Sequence, residues 1–401
     1  MKRQPLAILF VYVVVELLGF SLVLPLLPYY AQQFVASPLL IGLLGTSNAL
    51  AQMIGAPFIG RLSDRWGRRP LLLVGTAASL VGFVMLGLAK SLPLIFASRI
   101  LDGLLGGNLA LAQAYITDVT DEKSRAKSLG ILGAAFGIGF IIGPAAGGLL
   151  SRWGYWVPAF AAAGLSLVNF VWVLAALPES LTAERRAELA VRPRPPVTAG
   201  ALVAALRRPL VGPLLHTRLF YSLAFGIFQA SFALWALKRL GFASQSTGYV
   251  LAYVGLLSVL VQGLAMGRLT SRFSERTLII AGLALLAASL LAWGFVPNLW
   301  LLLVVLAPTA LAAGVLNVAL TSALTKASSR EDVGGTLGIA ASLQSLTGVV
   351  SPVLGGFLLE RVGSWSLGVL AALITAWLAT FAVRHIREAP APIALQATRG
   401  K

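Results

Sequence analysis

The sequence predicts an all-α membrane protein, with twelve spanning helices arranged as two halves of six. Three observations predict it. First, 58% of the 401 residues are hydrophobic and only 11% are charged, against about 25% charged in soluble domains. A chain this apolar needs lipid as its solvent. Second, twelve apolar stretches are long enough to cross ~30 Å of hydrocarbon, about 20 residues as a helix. Third, an arginine-rich turn, GRLSDRWGRRP at 60–70, returns as GRLTSRFSERT at 267–277.

The spans fall near 6–29, 39–60, 70–89, 92–117, 127–150, 155–177, 211–237, 245–267, 277–295, 298–322, 334–358 and 365–384. The first is longer than a signal-peptide core and lacks a small-residue cleavage site, so it reads as a true span. Residues 178–210 carry Pro, Arg and Glu and no apolar run of spanning length. They read as a cytoplasmic linker between halves 1–177 and 211–384, with 385–401 as a cytoplasmic tail. Within the linker, 198–208 fits either plain linker, the preferred reading, or a helix lying in the interface.

Basic residues set the expected orientation. With both termini inside, 24 of the 31 Lys and Arg lie in inside segments, 5 in outside loops, and two, Arg99 and Arg218, within spans. This positive-inside bias accounts for the net charge of +17 without nucleic acid. It predicts a multi-pass protein of the cell membrane with both ends cytoplasmic. An odd number of spans would spoil the alternation.

A second repeat supports the halves. GILGAAFGIGFIIGPAAGGLL at 130–150 aligns with GIAASLQSLTGVVSPVLGGFL at 338–358, an offset of 208 against 207 for the arginine turns. Pro144 meets Pro352, and Gly147 and Gly148 meet Gly355 and Gly356. Six spans per half give both copies the same orientation, the parallel repeat whose binding site lies between halves near the midplane.

Several chemistries lack their residues. There is no cysteine, and there are only two His and four Met, which disfavours thiol chemistry and soft-metal transport. No G-x-x-x-x-G-K-[ST] phosphate loop, no H-E-x-x-H and no clustered nucleophile and base occur in the sequence. Neither cofactor nor resident metal is expected, and the chain is not expected to be an enzyme.

These motifs resemble those of the major facilitator superfamily over nearly the whole chain. GRLSDRWGRRP resembles its signature loop between helices 2 and 3, and RILDGLLGG at 99–107 its helix-4 motif. GIGFIIGPAAGG at 137–148 resembles the helix-5 motif of drug:proton antiporters. AQMIGAPFIGRLSDRWGRRPLLL and AYITDVTDEKSRAKSLG are similar to the bacterial tetracycline-efflux branch, a likeness carried mainly by the first half. The resemblance implies secondary active efflux of small amphiphilic compounds coupled to protons, by a single chain. The rival reading is an importer or facilitator of a sugar or other metabolite. A receptor or lipid-handling enzyme fits the two-half repeat less well.

Candidate residues follow. Gly60, Asp64, Arg65, Gly67, Arg68 and Asp118 form the expected conformational latch. Asp64 is placed at a helix N-terminus, which favours an anion, and Asp118 within reach of Arg68; the resemblance implies that Asp64 meets helix 11. The second copy carries Ser271 where the first has Asp64, so an asymmetric latch is expected. Gly139, Gly143, Pro144, Gly147 and Gly148 give helix 5 a close-packing, kinkable surface, which the resemblance places between the halves.

Ionisable groups inside a span are functional hypotheses by default. Glu16, Arg99, Asp102 and Arg218 qualify. An apolar setting favours the neutral form of a carboxyl, so Glu16 is the expected proton carrier. Asp102 is second, and Arg99, three residues from it, is a modulator or a structural partner. Arg99, Gly103, Gly106, Ala110, Gln113 and Thr117 share a helical stripe read as a cavity face. Arg218, near the inner end, reads as a snorkelling group. Gln52, Asn108, Gln113 and Phe232 are the expected cavity residues, with the amides of Asn48, Gln229, Gln262, Asn317 and Gln344 as weaker candidates.

Overall fold

The computed structural model describes residues 3–120, 122–191, 199–328 and 332–386. It contains twelve helices long and apolar enough to cross a membrane. They are α1 (Leu6–Gln32), α2 (Pro38–Trp66), α3 (Arg68–Gly87), α4 (Leu92–Val119), α5 (Ala134–Trp153), α6 (Trp156–Ala176), α7 (Val211–Leu240), α8 (Ser244–Gly263), α9 (Glu275–Phe295), α10 (Leu299–Ala327), α11 (Gly335–Arg361) and α12 (Trp365–His385). The α2 helix runs on beyond its apolar stretch to Trp66, because the polar residues of the arginine turn continue the helix. Between the halves, Ala183–Val191 and Ala199–Leu206 are helical, so the linker is not plain coil.

Starts are set by local chemistry. The side chains of Ser37, Ser274 and Asn298 accept backbone N–H groups of α2, α9 and α10, satisfying donors that a helix leaves unpaired. Pro25 lies in a 3₁₀ turn, Leu24–Leu26, inside α1. The α8 helix continues through a π-turn, Val261–Ala265, into Met266–Arg272.

Packing repeats between the halves. α1 lies on α5 as α7 lies on α11, and α3 on α6 as α9 on α12. Across the seam, α2 packs on α11 and α5 on α8, the two contacts that a two-fold exchange of halves interconverts. Each seam is centred on a repeated proline. A Cβ added to Gly42 would stand 2.3 Å from the Pro352 carbonyl oxygen, and one added to Gly248 2.2 Å from that of Pro144. Only glycine lets backbone approach backbone this closely.

Chain direction defines two faces: a linker face, holding the connecting helices Ala183–Val191 and Ala199–Leu206, and the opposite, far face. Among the described residues, the hydrogen bonds joining the halves all lie toward the far face. Tyr29 Oη contacts Thr247 Oγ1 at 2.5 Å, and Ser151 Oγ contacts Ser244 Oγ at 2.8 Å. Thr46 Oγ1 donates to the Val349 carbonyl at 2.6 Å, Arg152 Nε to Gln245 at 2.8 Å and the Leu39 amide to Glu360 at 3.0 Å. Toward the linker face, a Cβ at Gly60, Gly263, Gly267 or Gly338 would meet nothing within 4 Å. Gln52, Gln262 and Gln344 stand exposed there on or next to the seam-facing stripes. The halves meet at the far face and part toward the linker face, leaving a cleft between them.

The helix-5 expectation needs correction. Pro144 and Gly148 do face α8, but Gly139, Gly143 and Gly147 face α1 of their own half, beside Leu17, Ser21 and Leu22. Residues four apart share one helix face, so the 139/143/147 stripe and the 144/148 stripe look in different directions.

Candidate functional site

Midway along the first half, five helices, α1, α2, α3, α4 and α6, bring polar side chains together in an apolar bundle. The α4 helix is broken there: its first part ends at Leu105, its second starts at Asn108, and Gly106 and Gly107 make the turn between. Non-helical backbone at this depth is tolerated where protein or a cavity satisfies it. The break aims Asn108 inward, and Gly75 on α3 makes room, since a Cβ there would lie 2.0 Å from Asn108 Oδ1.

Asn108 Nδ2 donates to Glu16 Oε1 at 2.6 Å. Asn169 Nδ2, from α6, donates to the other carboxylate oxygen at 3.4 Å, and Ser79 Oγ, from α3, stands 3.4 Å from Oε1. The same Ser79 hydroxyl lies 2.9 Å from Asp102 Oδ1. A hydroxyl has one proton, so Ser79 serves Asp102 or Glu16 but not both. Asp102 also takes Asn48 Nδ2 and Arg99 Nη1, each at 3.5 Å. Among the described residues Glu16 has no ion-pair partner, so amides and one hydroxyl are its neighbours.

Arg99 is 3% exposed and lies over the Phe83 ring, 5.2 Å from its centroid. It is not on a cavity face: the break at Gly106 interrupts the stripe read from 99 to 117, and Gly103 packs against Asn48 and Ala51 of α2. Gln113, past the break, is exposed, as is Gln52. Asn108 is buried on Glu16 and Phe232 is 1% exposed, so neither lines the cleft. Phe232 belongs to an aromatic cluster with Phe228 and Trp235, ring centroids 5.5 and 6.0 Å away. Ser79 and Asn169 were not anticipated. Asn169 is the lone amide of its span and was findable on that ground; Ser79 is one hydroxyl among many.

A second cluster lies at the linker face. Arg68 Nη2 pairs with Asp64 at 2.8 Å, its Nε with Asp118 at 2.9 Å, and its Nη1 donates to Ser63 Oγ at 2.5 Å. Asp64 and Arg68 are 3% and 6% exposed. The carboxylate at the start of α3 is Glu179 rather than Asp64: it accepts the backbone N–H of Arg68 at 2.8 Å and of Arg69 at 3.1 Å. Asp64 instead sits in the last turn of α2, four residues before Arg68. Gly67 between them has φ of +109°, and a Cβ there would lie 2.3 Å from Glu179 Oε2. Arg65 is exposed, and Gly60 meets no neighbour. Residue 121 and the side chains of residues 122–133, ahead of α5, lie outside what the structure describes.

A matching family model covers residues 9–265 and 217–401, described as Major Facilitator Superfamily. The chain belongs to the Major Facilitator Superfamily. Among its relatives, the class C tetracycline resistance protein of Escherichia coli is 32% identical over 348 residues, 85% of this chain and 86% of that one. Solute carrier family 67 member A1 of Homo sapiens is also 32% identical, over 84% of this chain and 82% of that one. The crystal structure of the human organic anion transporter MFSD10 superposes with a TM-score of 0.70, covering 95% of this chain and 99% of that one at 22% identity. That last likeness concerns the fold alone. As a transporter of this superfamily, the protein acts on small molecules in a membrane.

Proposed function

We propose that this transporter is a proton-coupled exporter of small amphiphilic compounds, working as a single chain by alternating access across the cell membrane, with both termini cytoplasmic. The observation that carries the proposal is the Glu16 carboxylate. It lies mid-span in a cage of amides and a hydroxyl, with no ion-pair partner among the described residues. A carboxyl so held can exist neutral or charged, whereas arginine stays charged.

The cleft opens on the linker face, so in this orientation the present state faces the cytoplasm. Export then runs as an exchange. Substrate enters the cleft past Gln52 and Gln113, and the halves close at the linker face and part at the far face. Substrate leaves, a proton binds Glu16 from outside, and the return brings it in. Ser79 links the two acids: its hydroxyl proton serves Asp102 while Glu16 is protonated and is free to turn to Glu16 when that group is charged. The Arg68 cluster rigidifies the linker-face corner about which the halves rock. The relatives that are tetracycline resistance proteins support export over import.

The test is a panel of amphiphilic compounds in proteoliposomes, with a pH gradient, a sodium gradient or neither. Uphill movement opposite to proton flow supports the reading. Downhill movement indifferent to all three conditions favours the metabolite facilitator.

A further inference from the structure

The second half holds, within a span, a half-buried cation that the exchange just described does not use. Arg218 on α7 donates from Nη1 to Asn317 Oδ1 of α10 at 2.9 Å and from Nη2 to Gln344 Oε1 of α11 at 3.0 Å. It does not snorkel to the linker face, because two amides from neighbouring helices hold it inside the bundle. A guanidinium only donates, so the oxygens of both amides must face it.

The position of Gln344 says where this group looks. Gly348, Pro352 and Gly356 follow it at four-residue intervals along α11 and meet Ala49, Gly42 and Pro38 of α2 across the seam. Gln344 is one turn below Gly348 on that same stripe, at the level where the halves have parted. Gln52 occupies the corresponding turn of α2, beyond Ala49. Asn317 and Gln344 are exposed there. The cluster faces the cleft.

Its charge has no counterion among the described residues. Among the described residues Arg218 forms no ion pair, and every described carboxylate of the second half is engaged elsewhere. Glu275 binds Lys326, Asp332 binds Arg208, and Glu360 accepts the Leu39 amide. Glu275 and Glu360 stand at the ends of α9 and α11, and no other Asp or Glu lies within a described span of that half. An unpaired cation at this depth is expensive, and two neutral amides orient it without neutralising it. Arginine has five N–H donors; two are used, which leaves three for a ligand in a planar fork that suits a carboxylate.

We infer that Arg218, oriented by Asn317 and Gln344, is an anion subsite of the transport cleft, and that the substrates include amphiphiles bearing a carboxylate. This rests on the reading of the cleft as the substrate pathway, but not on proton coupling. The two halves then divide the work: the first holds the acids, and the second holds the cation that receives the substrate's charge.

Binding of 1-pyrenebutyrate and of its methyl ester, measured by fluorescence anisotropy, tests it. The purified protein sits in nanodiscs of zwitterionic lipid, so that no anionic headgroup competes, and empty discs are subtracted. The wild type is expected to bind the acid roughly ten- to a hundredfold tighter than the ester. Arg218→Gln should abolish that preference while leaving ester binding unchanged, and Arg218→Lys should keep part of it. Glu16→Gln should retain the preference even if it loses uphill transport, which separates this claim from the coupling claim. Equal binding of acid and ester by the wild type overturns the inference. So does a preference that survives in Arg218→Gln, or a Gln variant that loses acid and ester alike.

Discussion

Replacing Gly248 by alanine should tip the transporter out of the state seen here. The added Cβ would stand 2.2 Å from the Pro144 carbonyl oxygen and 3.2 Å from the Cα of Gly148. Non-bonded heavy atoms rest at about 3.5 Å or more, so α5 and α8 must part by more than ~1 Å where they are tightest. Overpacking of this kind costs about 1–3 kcal/mol. The strain exists only while the far-face seam is closed, so it acts on the balance between states rather than on folding. A bias of that size changes a two-state ratio by roughly 5- to 150-fold. The chain has no cysteine, so single-cysteine probes need no prior substitutions. Gln52→Cys reports the cleft, and Ser244→Cys, at a position 7% exposed in the closed seam, reports the far face. Gly248→Ala should slow maleimide labelling at 52 and speed it at 244, each at least several-fold. Gly164→Ala, where a Cβ meets nothing within 4 Å, should change neither. Unchanged labelling in Gly248→Ala would refute the argument that the glycine–proline contact holds the far face shut.

Other predictions follow from the same distances. Arg68→Ala strands the Asp64 and Asp118 carboxylates at a nearly buried corner and should cost about 3–5 kcal/mol, read as lowered thermal stability in detergent. Arg68→Lys should rescue little, because a point charge cannot serve three partners set around a planar fork. Glu179→Gln keeps the shape of the α3 cap but removes its charge, and should cost about 1 kcal/mol; no loss would show the cap to be idle. Gly75→Ala would drive a Cβ to 2.0 Å from Asn108 Oδ1, pushing that amide off Glu16, and should reduce gradient-driven transport far more than thermal stability.

The twelve spans and their two-fold relation were legible because lipid enforces long apolar runs and duplication leaves matched motifs. Glu16, Asp102 and Arg99 were legible for a related reason: charge within a span is rare enough to be informative singly. What joins them was not. Ser79 touches both acids, yet hydroxyls are common in membrane helices, and only the packing of α1, α3 and α4 selects this one. The break at Gly106 was hidden because glycine serves close packing and chain turning equally well, and it moved Asn108 from expected cavity wall to Glu16 ligand. Glu179 lay in a stretch read for its lack of hydrophobicity, so its role at the α3 start emerges only once Gly67 turns the chain beneath it. Arg218 was misjudged from its distance to the helix end, because Asn317 and Gln344 reach it from helices about 100 and 126 residues away.

The most direct test of the central claim compares wild type with Glu16→Gln in proteoliposomes for one compound that the wild type moves. Two modes are measured: uphill accumulation driven by an imposed pH gradient, and exchange of labelled for unlabelled compound with no gradient. If Glu16 carries the coupling proton, the variant loses accumulation yet still exchanges. Accumulation in Glu16→Gln at the wild-type level would contradict the account.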